Sequence, residues 1–189
     1  EIRGAGDILG TRQSGHISAV GFHLYARLLA RAVEELKAER EGKAPPPEPL
    51  TNIRIDLPIP VRLPETYVPD TWLRLKMYRR LAELNTMAEI DEMERELVDR
   101  FGPLPVLARN LLFQLRLKAL ARDAGVRVVT IENGRLALRP AGEFPREELR
   151  VALGRRASVS RHGVWVPQEA GWRDSLVALL KELAPITGV

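Results

Sequence analysis

Apolar residues recur at three- and four-residue spacing from Ala19 to Glu41, where Val20, Leu24, Leu28, Leu29, Ala32, Val33 and Leu36 line one face, and this predicts a long amphipathic helix ending at Gly42. Further along, Asp70 is a good N-cap for a helix carrying Leu73, Leu75, Met77, Tyr78 and Leu81. Thr86 followed by Glu89 forms a capping box for a helix to about Arg100, which Gly102-Pro103 then breaks. A third helical pattern runs from Leu104 to Ala124, with Gly125 where a C′ glycine belongs. Alternation takes over elsewhere. Ile53, Ile55 and Leu57 alternate with polar residues, and Pro58 closes that strand, which places it near a sheet edge.

Val126–Ile131 and Arg135–Leu138 flank Asn133-Gly134, the pair that a type I′ turn favours because both positions need positive φ. Arg146–Leu153 reads as a helix, Ala157–Ser160 and Val164–Val166 as a second hairpin across His162-Gly163, and Trp172–Leu183 as a closing helix. Trp165 and Trp172 are expected to pack this hairpin against that helix. The fold class is therefore α+β, with helices packed on short antiparallel strands and hairpins.

Proline marks the organisation of the chain. Eight of the 14 prolines fall between Pro45 and Pro69, beginning with Pro45-Pro46-Pro47-Glu48-Pro49, which cannot continue a helix and favours extended geometry. A linker at 45–51 thus separates 1–44, a glycine-rich stretch plus the long connector helix, from a domain at 52–189.

Composition narrows the chemistry. The 189 residues are 45% hydrophobic and carry 29 Lys+Arg against 25 Asp+Glu, an ordinary globular balance whose net +4 is too small to name a nucleic-acid partner. Zero Cys removes disulfides, thiolate metal sites and thiol nucleophiles, and fits a reducing compartment. No apolar window is long enough to span a membrane, and the N-terminus has neither an initiator Met nor a signal pattern, so the chain is expected to be a soluble fragment.

Three clusters could carry function. The stretch Glu1–His16 places Gly4, Gly6, Gly10 and Gly15 where turns or close backbone approaches are needed, yet it lacks the Gly-Lys-Ser/Thr of a phosphate-binding loop. Glu89, Asp91, Glu92, Glu94, Glu96 and Asp99 make one helix strongly acidic; such a run is usually a solvated face, while Glu96 and Asp99, three apart, could together accept hydrogen bonds from arginines of a partner. Arg74, Lys76, Arg79 and Arg80 form the best basic cluster, read as surface charge with a phosphate-contacting patch as the alternative. No catalytic residues and no metal site are expected. The acidic helix offers no apolar pocket to split carboxylate pKa values, and His16, His23 and His162 accompany no triad or oxyanion motif.

Arg3-Gly4-Ala5-Gly6-Asp7-Ile8-Leu9-Gly10, followed by Arg12-Gln13-Ser14-Gly15, resembles the motif that ends the second motor lobe of RecG-type DNA translocases and of transcription-repair coupling factors. The continuation separates the two. Gly21-Phe22-His23-Leu24-Tyr25, Leu57-Pro58, Tyr67-Val68-Pro69-Asp70, Arg74-Leu75, Tyr78-Arg79-Arg80-Leu81 and Asp99-Arg100-Phe101-Gly102-Pro103-Leu104-Pro105 resemble the C-terminal domain of the coupling factors. The match is specific to about residue 125; beyond it the order of elements carries the likeness. Arg12 stands where the coupling factors often have an acid.

By this resemblance, 1–44 ends the motor lobe, with Arg3 and Gln13 coupling nucleotide-driven lobe movement to the grip on duplex DNA, and 52–189 is a regulatory domain. Glu96 and Asp99 match positions where that domain packs on an N-terminal UvrB-like module and masks its UvrA-binding surface. The fragment itself is expected to hold no cofactor and to be no enzyme; ATP and Mg would belong to motor motifs upstream of Glu1. The implied partners of the longer protein are RNA polymerase, UvrA and double-stranded DNA, and the implied location is cytoplasmic.

Overall fold

A computed structural model describes residues 52–187, all within a compact unit that runs from Glu48 to Val189. The glycine-rich motif with Arg3, Gly4, Gly6, Asp7, Gly10, Arg12, Gln13, Ser14 and Gly15, the connector helix, His16, His23 and the linker at 45–51 lie outside the described residues. The elements are β1 (Arg54–Asp56), α1 (Thr71–Glu83), α2 (Met87–Phe101), α3 (Val106–Asp123), β2 (Val126–Glu132), β3 (Arg135–Pro140), α4 (Arg146–Leu153), β4 (Ser158–Ser160), β5 (Gly163–Pro167) and α5 (Trp172–Thr187).

The strands form one sheet in the order β1-β2-β3-β5-β4. Residues of the same parity meet across it: Ile55 faces Val129, Val129 faces Leu138, Leu138 faces Val164 and Val164 faces Val159, so a single apolar row crosses all five strands. Helices α3, α4 and α5 cover this row with Leu112, Leu117, Leu149, Leu153, Leu176, Leu180 and Leu183, all buried. The expectation of antiparallel strands alone needs one correction. β1 pairs parallel to β2, and a parallel pair requires a crossover, here supplied by α1, α2 and α3.

Local signals decide most boundaries. Asp70 accepts the Leu73 N–H at 2.7 Å, and Thr86 and Glu89 complete the reciprocal capping box on α2. Asn133 and Gly134 both have positive φ, 50° and 71°, as a type I′ turn demands. The second hairpin turns one residue earlier than expected. Ser160 pairs with Gly163, so Arg161-His162 forms the turn without positive φ, helped by a bond from the His162 N–H to the Ser160 hydroxyl.

Gly163 sits in the strand for a different reason: a Cβ there would lie 2.7 Å from the Trp165 ring. That ring lies on the sheet face opposite Val164, over Gly163, where its Nε1–H donates to Glu132 at 3.2 Å and Arg139 stacks 6.0 Å from its centroid. Trp165 therefore does not pack against the closing helix. Strand alternation puts it on the other side from the helices, whereas Trp172 does pack on the core. The closing helix also runs past Leu183 to Thr187, with Pro185 inside its last turn.

Tyr67 fastens the loop before α1 to the end of α2. Its hydroxyl donates toward the carbonyls of Leu97 (2.8 Å) and Gly102 (2.9 Å), its ring meets Phe101 edge-on at 5.7 Å, and burial raises its pKa. Replacing Tyr67 by Phe should leave these two C-terminal carbonyls without that donor and cost about 1–2 kcal/mol in chemical denaturation; an unchanged denaturation midpoint would show that water replaces the hydroxyl without loss.

Candidate functional site

Helices α1 and α2 form a hairpin joined through Leu84, Asn85 and Thr86, and the charged residues singled out in the sequence lie along it. Arg80 on α1 reaches across to Glu96 on α2 with both guanidinium nitrogens, Nη1 and Nη2 each 2.6 Å from a carboxylate oxygen. Arg100, one turn beyond Glu96, adds a third bond at 2.8 Å. The hydrogen bonds from Arg80 and then Arg100 lower the Glu96 pKa to about 2, against the opposing effect of burial. The same contact raises Arg80.

The rest of the acidic run is largely tied as well. Glu89 accepts the backbone N–H groups of Asn85 and Thr86, which lower its pKa. Arg116 on α3 clamps Asp91 at 2.7 Å and also holds Glu94, fixing α2 to the central helix. Glu92 and Asp99 differ. Both are exposed and have no hydrogen bond or ion pair among the described residues. Glu96 and Asp99 thus share a helix but not a condition: one carboxylate accepts three hydrogen bonds within its own domain, and the other is free.

The basic cluster divides in the same way. Arg74 donates to the Val68 carbonyl at 2.7 Å and to Glu65 at 3.1 Å, and its side chain is only 14% exposed. Arg80 is committed to Glu96. Lys76 and Arg79 are exposed and have no ion pair or hydrogen bond among the described residues. A phosphate patch would keep two of the four cations.

Other candidate chemistry is sparse. Among the described residues no three His, Cys, Asp or Glu side chains could hold a metal together, and no helix is long and apolar enough to cross a membrane. His162 is exposed in its turn. An open recess lined by Glu147, Glu148, Val151, Ala152 and Ile186 presents two exposed carboxylates beside apolar side chains and no cation among its lining. Two features escaped the sequence reading. The Arg116 clamp joins residues more than twenty positions apart and leaves no local signal; Trp72, 78% exposed, is legible in retrospect because it lies off the stripe of Leu73, Met77 and Leu81.

Fold and site together define a small α+β domain whose conspicuous chemistry is charge pairing on the surface of a helical hairpin. Residues 57–147 match the family model described as TRCF domain. The chain is 45% identical over 136 residues to the transcription-repair-coupling factor of Haemophilus influenzae and 46% identical over 129 residues to that of Escherichia coli, covering 71% and 67% of this chain and 11% of each relative. A more distant relative of the same name in Bacillus subtilis is 30% identical over 200 residues, 98% of this chain and 17% of that protein. The fold resembles a crystal structure of the C-terminal domain of transcription-repair coupling factor, with a TM-score of 0.62 at 19% identity over 72% of this chain and 94% of that one. The chain belongs to the transcription-repair-coupling factor family, whose TRCF domain it carries, and it spans about a ninth of the first two relatives.

The clamp on Glu96 has a pH signature. Because its folded pKa is lowered, the contribution of Glu96 is complete above the ordinary value of 4.5 and is lost as pH falls from there towards about 2. Glu96→Gln should be about 1 kcal/mol less stable at pH 7 and should lose less stability than the parent between pH 5 and pH 2. Parallel acid profiles in urea unfolding would rule the clamp out as a source of stability.

Proposed function

We propose that this chain is the C-terminal regulatory part of an ATP-driven double-stranded DNA translocase that couples transcription to nucleotide excision repair. In this reading the longer protein displaces stalled RNA polymerase and recruits UvrA, and the 52–189 domain restrains it by covering a UvrB-like module. The observation that carries the regulatory part is the free carboxylate of Asp99 one turn from Glu96, which is already paired with Arg80 and Arg100, on a surface helix braced by its own domain. Support for the wider role comes from the names of the relatives. ATP and Mg would be held by motor residues elsewhere in the longer protein, so the fragment alone is proposed to be no enzyme.

The two carboxylates then have different tasks. Asp99 is the group available to an arginine of the covered module. Glu96, with its oxygens already accepting from Arg80 and Arg100, holds α1 against α2. Truncating a carboxylate in such a contact leaves the partner arginine unpaired, which costs about 2 kcal/mol or more when the pair is desolvated.

The test is a titration of the full-length protein with UvrA. Asp99→Ala should keep the parent's stability and bind UvrA more tightly, and the Glu96→Ala/Asp99→Ala variant should reach up to roughly thirtyfold, because a ligand of the open state is penalised by the closed fraction. Equal affinities with all proteins folded would end the masking reading. For the motor end, Arg3→Ala or Gln13→Ala should spare ATP binding and slow the removal of a DNA-bound obstacle; parental removal rates would refute the coupling role.

A further inference from the structure

On α1 the side chains of Trp72, Leu75, Lys76 and Arg79 fall at positions i, i+3, i+4 and i+7, a single stripe along the helix. The opposite side is occupied: Met77 and Leu81 are buried, and Leu73 and Tyr78 pack on the core. The stripe faces solvent, with Trp72 78% and Leu75 46% exposed. Scattered exposed apolar residues need no explanation, but a Trp and a Leu one turn apart, bordered by two cations without partners, form a patch. The lack of pairing is selective. Arg74 and Arg80, on the same helix, are each held by a carboxylate of the domain, whereas Lys76 and Arg79 are left open beside the apolar pair.

We propose that this stripe is a docking surface for an amphipathic acidic helix of a protein partner. Leucine-type side chains of that helix would cover Trp72 and Leu75, and its flanking carboxylates would meet Lys76 and Arg79, the complement of what the stripe presents. Trp suits such an anchor, since a large rigid ring buries much area while losing little rotamer freedom. Nucleic acid fits less well. Two cations neutralise two phosphates, giving a salt slope of only about −2, and the indole and leucine would face a hydrated backbone. The proposal concerns a different helix from Asp99 and does not rest on the masking contact.

The experiment uses the full 189-residue chain and a labelled synthetic peptide with leucine at i, i+3, i+4 and i+7, glutamate on both flanks and helix-favouring alanines between. Anisotropy should report saturable binding, accompanied by a blue shift of tryptophan emission that Trp72→Ala removes. Lys76→Glu/Arg79→Glu should weaken binding by about tenfold or more, while Val151→Ser, which alters an exposed apolar residue on α4, should leave it unchanged. The four substituted positions, Trp72, Lys76, Arg79 and Val151, are all exposed, so thermal melts should match the parent. No saturable binding, equal binding by the charge-reversed protein, or equal binding of a peptide with lysine in place of glutamate would each overturn the proposal. So would two other results: duplex DNA binding that the charge reversal abolishes while the peptide fails to bind, which makes the stripe a nucleic-acid contact, and self-association abolished by Trp72→Ala without peptide binding, which makes the occupant a second copy.

Discussion

The apolar row Ile55–Val129–Leu138–Val164–Val159 is the constraint on which the domain depends. Side chains alternate along a strand, so a slip of one residue in any pairing would turn that strand's apolar set away from α3, α4 and α5. The opposite face makes the same demand by other means. Trp165 lies over Gly163 and against Glu132 and Arg139, an arrangement possible only while Gly163 has no side chain and β5 keeps its parity relative to β3. Register is therefore specified from both faces.

That register has consequences for the charged hairpin. Since β1 joins β2 in parallel, the chain must travel the length of the domain between them, and α1, α2 and α3 are the path it takes. The contacts on this path are largely electrostatic at the surface and apolar beneath. Ile90, Met93 and Leu97 bury one side of α2, while Arg116 holds its Asp91 and Glu94 and Arg80 holds its Glu96. An acidic run that would repel itself as an isolated helix is thereby largely neutralised by cations from both neighbouring helices, and Glu92 and Asp99 are the carboxylates of that run left without an ion pair among the described residues.

How far the sequence could show this depends on range. Caps, the Asn133-Gly134 turn and the break at Gly102 are decided within four residues, and the chain spells them out. Parallel pairing of β1 is decided by a partner more than seventy residues away, and three residues of alternation carry no hint of strand direction. The hairpin at Arg161-His162 was displaced because a glycine next to His162 suggests a turn, whereas Gly163 serves a ring two residues on. The face of Trp165 was legible, since it alternates with Val164 and Val166. For the charged residues, the bond from Arg100 to Glu96 follows from helical spacing, but the bonds from Arg80 and Arg116 depend on how helices pack.

The division between tied and untied charges bears on how this surface can be used. A side chain that must be ordered on binding loses conformational freedom, and a helix that must be oriented loses more. Here the helices are already fixed by Glu96 and Arg116, so Asp99 on α2 and Lys76 and Arg79 on α1 are presented on a rigid frame. A contact at Asp99 then meets little ordering cost beyond its own side chain, and loosening the frame would weaken it without touching the contact itself. Glu96 therefore matters to the shape of this hairpin, because the three hydrogen bonds it accepts from Arg80 and Arg100 hold α1 against α2.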